Sequence, residues 1–114
     1  MLIWDVGHQG YIHKALTGRI KSLDHQRTRG GISGFLNRAE SPFDFFGAGH
    51  ASTSISALAG VCMADAIKKH KRHRIAVVGD GSFTGGQTFE ALNHLGTIDT
   101  NALVILNDNN GSID

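Results

Sequence analysis

Hydrophobic positions along the chain fall into three patterns. The clearest is helical. Ile55, Leu58, Ala59, Cys62 and Ala66 recur at i, i+3, i+4, i+7 and i+11, with Met63 and Ile67 widening the stripe. Ser52, Thr53 or Ser54 can cap its start. Lys68, Lys69, Lys71 and Arg72 lie at its end, where cations suit the helix dipole. The second pattern is continuous. Residues 74–78 (RIAVV) and 102–106 (ALVIL) read as strands buried on both faces. Between them, Gly79-Asp80-Gly81 breaks the first run, and residues 84–95 form a second helix. Phe89, Leu92 and Leu95 share one of its sides, and Gly96 stops it. Strand, glycine turn, helix and strand make a βαβ unit with parallel strands. The third pattern is fragmentary. Residues 2–4 read as a strand tip and residues 9–16 as a short helix stopped by Gly18. One helical turn is expected around Ser22, Leu23 and Asp24. Gly30, Gly31, Gly34 and Pro42 mark residues 30–42 as a loop, and residues 44–47 read as a short strand or an extended piece. The expected fold is α/β, a parallel sheet flanked by helices.

Composition narrows the function. Eleven Lys and Arg against ten Asp and Glu leave a net charge of +1, which removes the electrostatic case for nucleic acid or an anionic membrane. The longest nearly apolar run, residues 57–64, is far short of the roughly 20 residues that span a bilayer. One cysteine, Cys62, excludes an internal disulfide and a cysteine zinc site. No secretory leader is visible, so a reducing compartment is expected. Fifteen glycines against one proline suggest loops where backbone approaches something closely.

Two strand ends carry the candidate chemistry. Asp80 follows the strand at 74–78, and Asn109 follows the strand at 102–106. If the strands are neighbours, their C-terminal ends lie about 5 Å apart, on the side where such sheets bind ligands. Asp80 offers a carboxylate, Asn109 an amide oxygen, and Asn110 and Gly111 backbone carbonyls. A few hard oxygens completed by water and phosphate suit Mg²⁺. Gly81 and Ser82 present backbone N–H groups to a phosphate. Gly-Asp-Gly alone is also a common turn with its Asp capping a helix; the matching Asn107-Asp108-Asn109 favours the ligand reading. No Walker A loop is present. The glycine spacing is not that of a dinucleotide fold, and Asp80 would repel a bare pyrophosphate.

Residues 79–81 with 107–109 resemble the thiamine-diphosphate signature of transketolase-like enzymes. The wider series resembles the N-terminal domain of the 1-deoxy-D-xylulose-5-phosphate synthase family. It comprises residues 4–9 (WDVGHQ), His13-Lys14 with 16–19 (LTGR), 47–56 (GAGHASTSIS), 79–86 (GDGSFTGG), 89–91 (FEA), Asn93-His94 and 106–109 (LNDN). The resemblance implies that Asp80, Asn109 and the Gly111 carbonyl hold Mg²⁺ against the cofactor diphosphate. It implies active-site roles for His8 and His50, a cofactor contact for Ser52, and backbone contacts from Gly79, Gly81 and Ser82. It implies condensation of pyruvate with glyceraldehyde 3-phosphate to 1-deoxy-D-xylulose 5-phosphate and CO₂, feeding isoprenoid, thiamine and pyridoxal synthesis. It also implies a cytoplasmic homodimer, or a plastid enzyme in a plant or alga. Ile12 stands where the family usually has Pro, and Gly111 where it often has Met. The family enzyme is several times longer, and the Glu that activates its cofactor lies in a later domain. Residues 1–114 therefore read as a partial cofactor-binding domain, inactive alone, whose abrupt start and end do not look like natural boundaries.

A generic transketolase shares the Gly-Asp-Gly and Asn elements but does not account for residues 5–9 and 47–56. A stand-alone Mg²⁺–diphosphate-binding module and a non-functional truncated product compete with it as readings of the same residues. His13 is balanced between a turn residue and a substrate contact. His70 and His73, with the neighbouring cations, read as a solvated helix end. His25 reads as exposed, Cys62 as core, and Glu90 as structural. Phe35, Phe43, Phe45 and Phe46 read as loop anchors or as packing for neighbouring segments.

Overall fold

The computed structural model describes residues 1–109 and 111. Three strands, β1 (Leu2–Trp4), β2 (Ile75–Gly79) and β3 (Leu103–Asn107), form a parallel sheet in the order β1-β2-β3. The helices are α1 (Gln9–Lys14), α2 (Ser54–Lys68), the single turn α3 (Asp80–Phe83) and α4 (Gly86–Leu95). The fold class is the α/β class expected.

Register explains what each face of the sheet does. Ile3, Ala76 and Val104 align across the three strands. Ile3 and Ala76 are buried with Leu58 and Cys62 of α2, and Val104 packs against them. Val78 meets Ile55 of α2 and Ala91 of α4. Fully burying a Leu or Ile side chain is worth about 1.5–3 kcal/mol, so Ile55 and Leu58 hold α2 on the sheet. Cys62 is the core residue expected. The row of opposite parity, Trp4, Val77 and Ile105, faces the other way. Here α1 covers the β1 end, with the His13 ring 5.5 Å from the Trp4 ring.

The structure corrects several expectations. β3 is not buried on both faces: Leu103 is 52% exposed and Ile105 41%. It is an edge strand, and α4 packs on only one side of the sheet. The second helix starts at Gly86, because α3 and an extended Gly85 intervene. Phe89 points outward and meets the edge of Phe83, while Thr88 and Ala91 face the core. Residues 44–47 form no strand. Phe46 packs against the core and the Phe45 ring takes the Arg72 guanidinium at 5.3 Å, so both anchor that loop. The helix at 9–14 passes into a wider turn, Ala15–Arg19, which breaks at Gly18 with φ +92°.

Two ionic clusters were invisible in the hydrophobic pattern. Lys14 is fully buried, donating to Glu40 Oε1 at 2.6 Å and to the Ser33 carbonyl at 2.7 Å. Arg19 grips both oxygens of buried Asp44 and also reaches Glu40. His13 Nε2 lies 3.2 Å from the Phe43 carbonyl and 3.3 Å from Asp44 Oδ1. Both partners are acceptors, so Nε2 carries hydrogen. His13 is thus a structural tie. The cluster straps residues 33–44 to α1. The second cluster centres on Asp65, buried in α2, which takes Arg72 through two hydrogen bonds and Arg74 through one. The end of α2 is therefore not simply solvated: Asp65 folds residues 70–74 back toward β2.

Candidate functional site

Sequence-adjacent polar residues leave the sheet together at the C-terminal ends of β2 and β3. Gly79 pairs with Asn107. Asp80 opens α3 immediately beyond, half-buried, and Asn109 lies two residues past β3, exposed. The strand pairing thus brings Asp80 and Asn109 to one edge. Asn109 Oδ1 accepts the Gly111 N–H at 3.1 Å. Asn110 lies outside the described residues.

The Asp80 turn is built on close approach. A Cβ on Gly79 would lie 2.7 Å from Gln9 Nε2, so the Gln9 carboxamide rests against this backbone. A Cβ on Gly85 would overlap the Ser52 hydroxyl. Gly81 differs: a Cβ there meets nothing within 4 Å, and its backbone faces open space. The Ser82 carbonyl accepts from Ser52 Oγ at 2.7 Å and Thr88 Oγ1 at 3.1 Å. Ser52 is buried and its hydroxyl is engaged within the fold. Its φ is +68°, a left-handed conformation that costs a residue with a Cβ roughly 1–2 kcal/mol.

Asp5 lies within the 4–9 stretch that carries the resemblance, but the sequence alone gave it no role. It follows β1, is buried, and its N–H donates to the Val77 carbonyl at 2.8 Å. Its carboxylate accepts the N–H groups of Val6, Ser52 and Ser54. No side chain of the 52–54 run caps α2; Asp5, from another element, serves the N–H of Ser54 in its first turn and that of Ser52 just before it. The role of Gln9 was missed as well. The 4–9 stretch marks both residues, but their partners, Ser52 and Gly79, lie too far along the chain for a local pattern to show.

Beside the turn lies an open cleft of about 390 Å³, lined by Trp4, His8, Gln9, Ile12, Val77, Ile105 and Asn107. His8 is exposed at the start of α1 and reaches this cleft. His50 is also exposed, two residues before Ser52, and does not line it. The structure therefore groups Ser52, Gly79, Asp80 and Ser82 tightly, and sets His8 on the adjoining wall. The Trp4 indole N–H is buried and has no hydrogen-bond partner among the described residues. No cluster of three or more His, Cys, Asp and Glu capable of holding a metal occurs among the described residues. A cation at this edge would rely on one carboxylate supplemented by amide and carbonyl oxygens.

Residues 1–114 match the family model described as 1-deoxy-D-xylulose-5-phosphate synthase. The chain belongs to that family. It is 59% identical over 112 residues to the 1-deoxy-D-xylulose-5-phosphate synthase of Methylococcus capsulatus, covering 98% of this chain and 18% of that protein. It is 55% identical over 113 residues to the synthase of Cytophaga hutchinsonii and 58% over 112 to that of Chlorobium phaeovibrioides, again spanning 18% of each. The chain thus spans under a fifth of the length of these synthases. Among the described residues no helix is long and apolar enough to cross a membrane.

Proposed function

We propose that residues 1–114 are part of the cofactor-binding domain of a 1-deoxy-D-xylulose-5-phosphate synthase. The longer enzyme condenses pyruvate with glyceraldehyde 3-phosphate to 1-deoxy-D-xylulose 5-phosphate and CO₂. Its product supplies isoprenoid precursors and feeds thiamine and pyridoxal synthesis, and it works as a cytoplasmic homodimer. The observation that carries this reading is the family match over the whole chain, joined to the pairing of Gly79 with Asn107 at the ligand edge.

The donor set supports the cofactor. Asp80 and Asn109 supply hard oxygens, which suit Mg²⁺ bridging a diphosphate, and the Gly111 carbonyl is a third. Open space beside Gly81 leaves room for phosphate oxygens to approach its backbone N–H. Bound there, thiamine diphosphate supplies the carbanion chemistry that pyruvate decarboxylation requires. The chain's own residues bind and orient. Asp80 and Asn109 would hold the metal, Gly79 and Ser52 shape the turn, and Trp4 and Val77 offer apolar walls to the open cleft. His8 and His50 supply exposed imidazoles that move protons near the reacting carbons.

The test uses the protein made from its whole reading frame. Purified enzyme with Mg²⁺ and thiamine diphosphate should form deoxyxylulose phosphate from pyruvate and glyceraldehyde 3-phosphate. Asp80→Asn and Asn109→Ala should each abolish Mg²⁺-dependent cofactor binding. Residues 1–114 alone should form no product. Turnover of ketose donors in place of pyruvate would favour a transketolase instead.

A further inference from the structure

Two loops of the candidate site meet at one carboxylate, and a third is linked to it through Ser52. Asp5 Oδ1 accepts the N–H groups of Val6 at 3.0 Å and Ser52 at 2.8 Å, and its Oδ2 accepts that of Ser54 at 2.9 Å. Asp5 itself is pinned to β2 through the Val77 carbonyl. Ser52 continues the path, because its hydroxyl donates to the Ser82 carbonyl at 2.7 Å. The loop after β1 carries His8, the loop before α2 carries His50, and the turn after β2 carries Asp80. Each is within two hydrogen bonds of Asp5.

We infer that Asp5 is a positioning residue: by holding the Ser52 and Ser54 amides it sets where the Ser52 hydroxyl meets Ser82, and so places the Asp80–Phe83 turn for its ligand. This rests on reading that turn as the holder of a Mg²⁺–diphosphate group. The backbone at Ser52 supports the inference. A left-handed residue with a Cβ persists only where its surroundings over-determine it. Here the two restraints are the Asp5 bond to its N–H and the Ser82 bond to its hydroxyl. Losing the first lets Ser52 relax toward right-handed φ and carries the hydroxyl off Ser82. Ser54 meets Asp5 through its N–H, and its buried hydroxyl has no hydrogen-bond partner among the described residues. A plain helix cap would stabilise α2 and leave the Asp80 turn alone. A positioning residue moves that turn.

The experiment compares wild type, Asp5→Asn, Ser52→Ala and the double variant in the protein from its whole reading frame. Asn keeps one acceptor oxygen and turns an N–H₂ toward an amide donor. Amide deuterium exchange over residues 80–88 is followed without cofactor, and the Kd for thiamine diphosphate is measured with Mg²⁺. Each single variant should speed exchange over 80–88 and weaken the Kd by about tenfold, the scale of one lost hydrogen bond. The double variant should be no worse than the poorer single, because both cut one path. Wild-type exchange over 80–88 in Asp5→Asn, or effects that multiply in the double variant, overturns the inference. Should Asp5→Asn fail to fold, wild-type exchange over 80–88 in Ser52→Ala overturns it equally. Wild-type protein that ignores thiamine diphosphate refutes the reading of the turn, while the exchange data still decide whether Asp5 governs it.

Discussion

Ser52 Oγ occupies the space that a side chain on Gly85 would need. That relationship explains a glycine that is neither left-handed nor exposed to a tight turn: its absent Cβ lets the loop before α2 touch the turn after β2. Gly85→Ala should therefore push Ser52 off the Ser82 carbonyl and cost about 1–3 kcal/mol, the usual penalty for overpacking. Gly81→Ala should cost less than about 0.5 kcal/mol, since its Cβ enters open space. The same Cβ would obstruct a phosphate lying on the Gly81 backbone, so Gly81→Ala should bind thiamine diphosphate more weakly at near-normal stability. Urea unfolding and a cofactor titration check the pair. Unaltered affinity in Gly81→Ala would exclude the backbone contact there.

The buried cluster at α1 makes a stability prediction. Asp44 receives both Arg19 nitrogens, the Asn37 N–H and His13 Nε2. Removing its charge leaves Arg19 buried with Glu40 as its remaining carboxylate. Asp44→Asn should destabilise by about 3 kcal/mol, as when one partner of a buried pair is lost. Arg19→Lys keeps the charge but not the two-pronged fit, and should lose less. Denaturant midpoints for the two variants provide the ranking. An Arg19→Lys loss equal to that of Asp44→Asn would show that geometry, not charge, holds residues 33–44.

How much of this was legible in the sequence depended on distance along the chain. α2 was readable because its core stripe, Ile55 to Cys62, repeats within one element. β2 and β3 were readable as short apolar runs, and their adjacency followed from the helix between them. That Asp80 and Asn109 leave one sheet edge was therefore accessible from the order of elements alone. The side-chain ties were not. Asp5 meets Ser52 across 47 positions, and Lys14 meets Glu40 across 26. No local pattern encodes such pairs, and charged residues in polar stretches read as solvent-facing until the fold buries them. That β3 is the strand left open was not readable for a related reason: an apolar run reports that a strand is meant to be covered, not what covers it. The Gly30–Gly34 loop, unexplained by motif, proves to be a tight turn in which a Cβ on Gly31 would overlap the His25 carbonyl.

Acid should loosen the α1 cluster and the Asp65 cluster. Burial pushes the Glu40 and Asp44 carboxyls up, but bonds from Lys14 and the Ser33 N–H to Glu40, and from Arg19 and the Asn37 N–H to Asp44, outweigh it and hold both below the usual range. Asp65 is held far below it, first by Arg72, against burial, and then by Arg74. Depressed folded values mean that these carboxylates bind fewer protons folded than unfolded. Their stabilisation is full above the unfolded range near 4 and fades as pH falls through the depressed folded values. Stability contributed by these groups should be flat from about pH 6 to 7 and decline below about pH 4. Trp4, the one tryptophan, touches His13 and so reports on the first cluster by its fluorescence. A midpoint that rises on acidification from pH 5 would contradict the assignment.

The uncovered edge of the sheet predicts how residues 1–114 behave alone. Leu103 and Ile105 stand exposed on β3, whose outer backbone groups have no strand partner in the sheet. Ile12 on α1, with Leu16 and Ile20 beyond it, adds exposed apolar surface. A parallel sheet is ordinarily covered on both faces, and an open apolar edge pairs with other chains. The 114-residue chain should therefore self-associate at micromolar concentration. Leu103→Lys should reduce that association, because a charge on an edge strand opposes pairing. It should change stability by less than about 1 kcal/mol, since half of the Leu103 side chain is already in water. Sedimentation velocity across a concentration series, beside thermal unfolding, separates the two effects. A wild-type chain that sediments as a monomer at every concentration would show that the edge is protected in a way the sheet topology does not reveal.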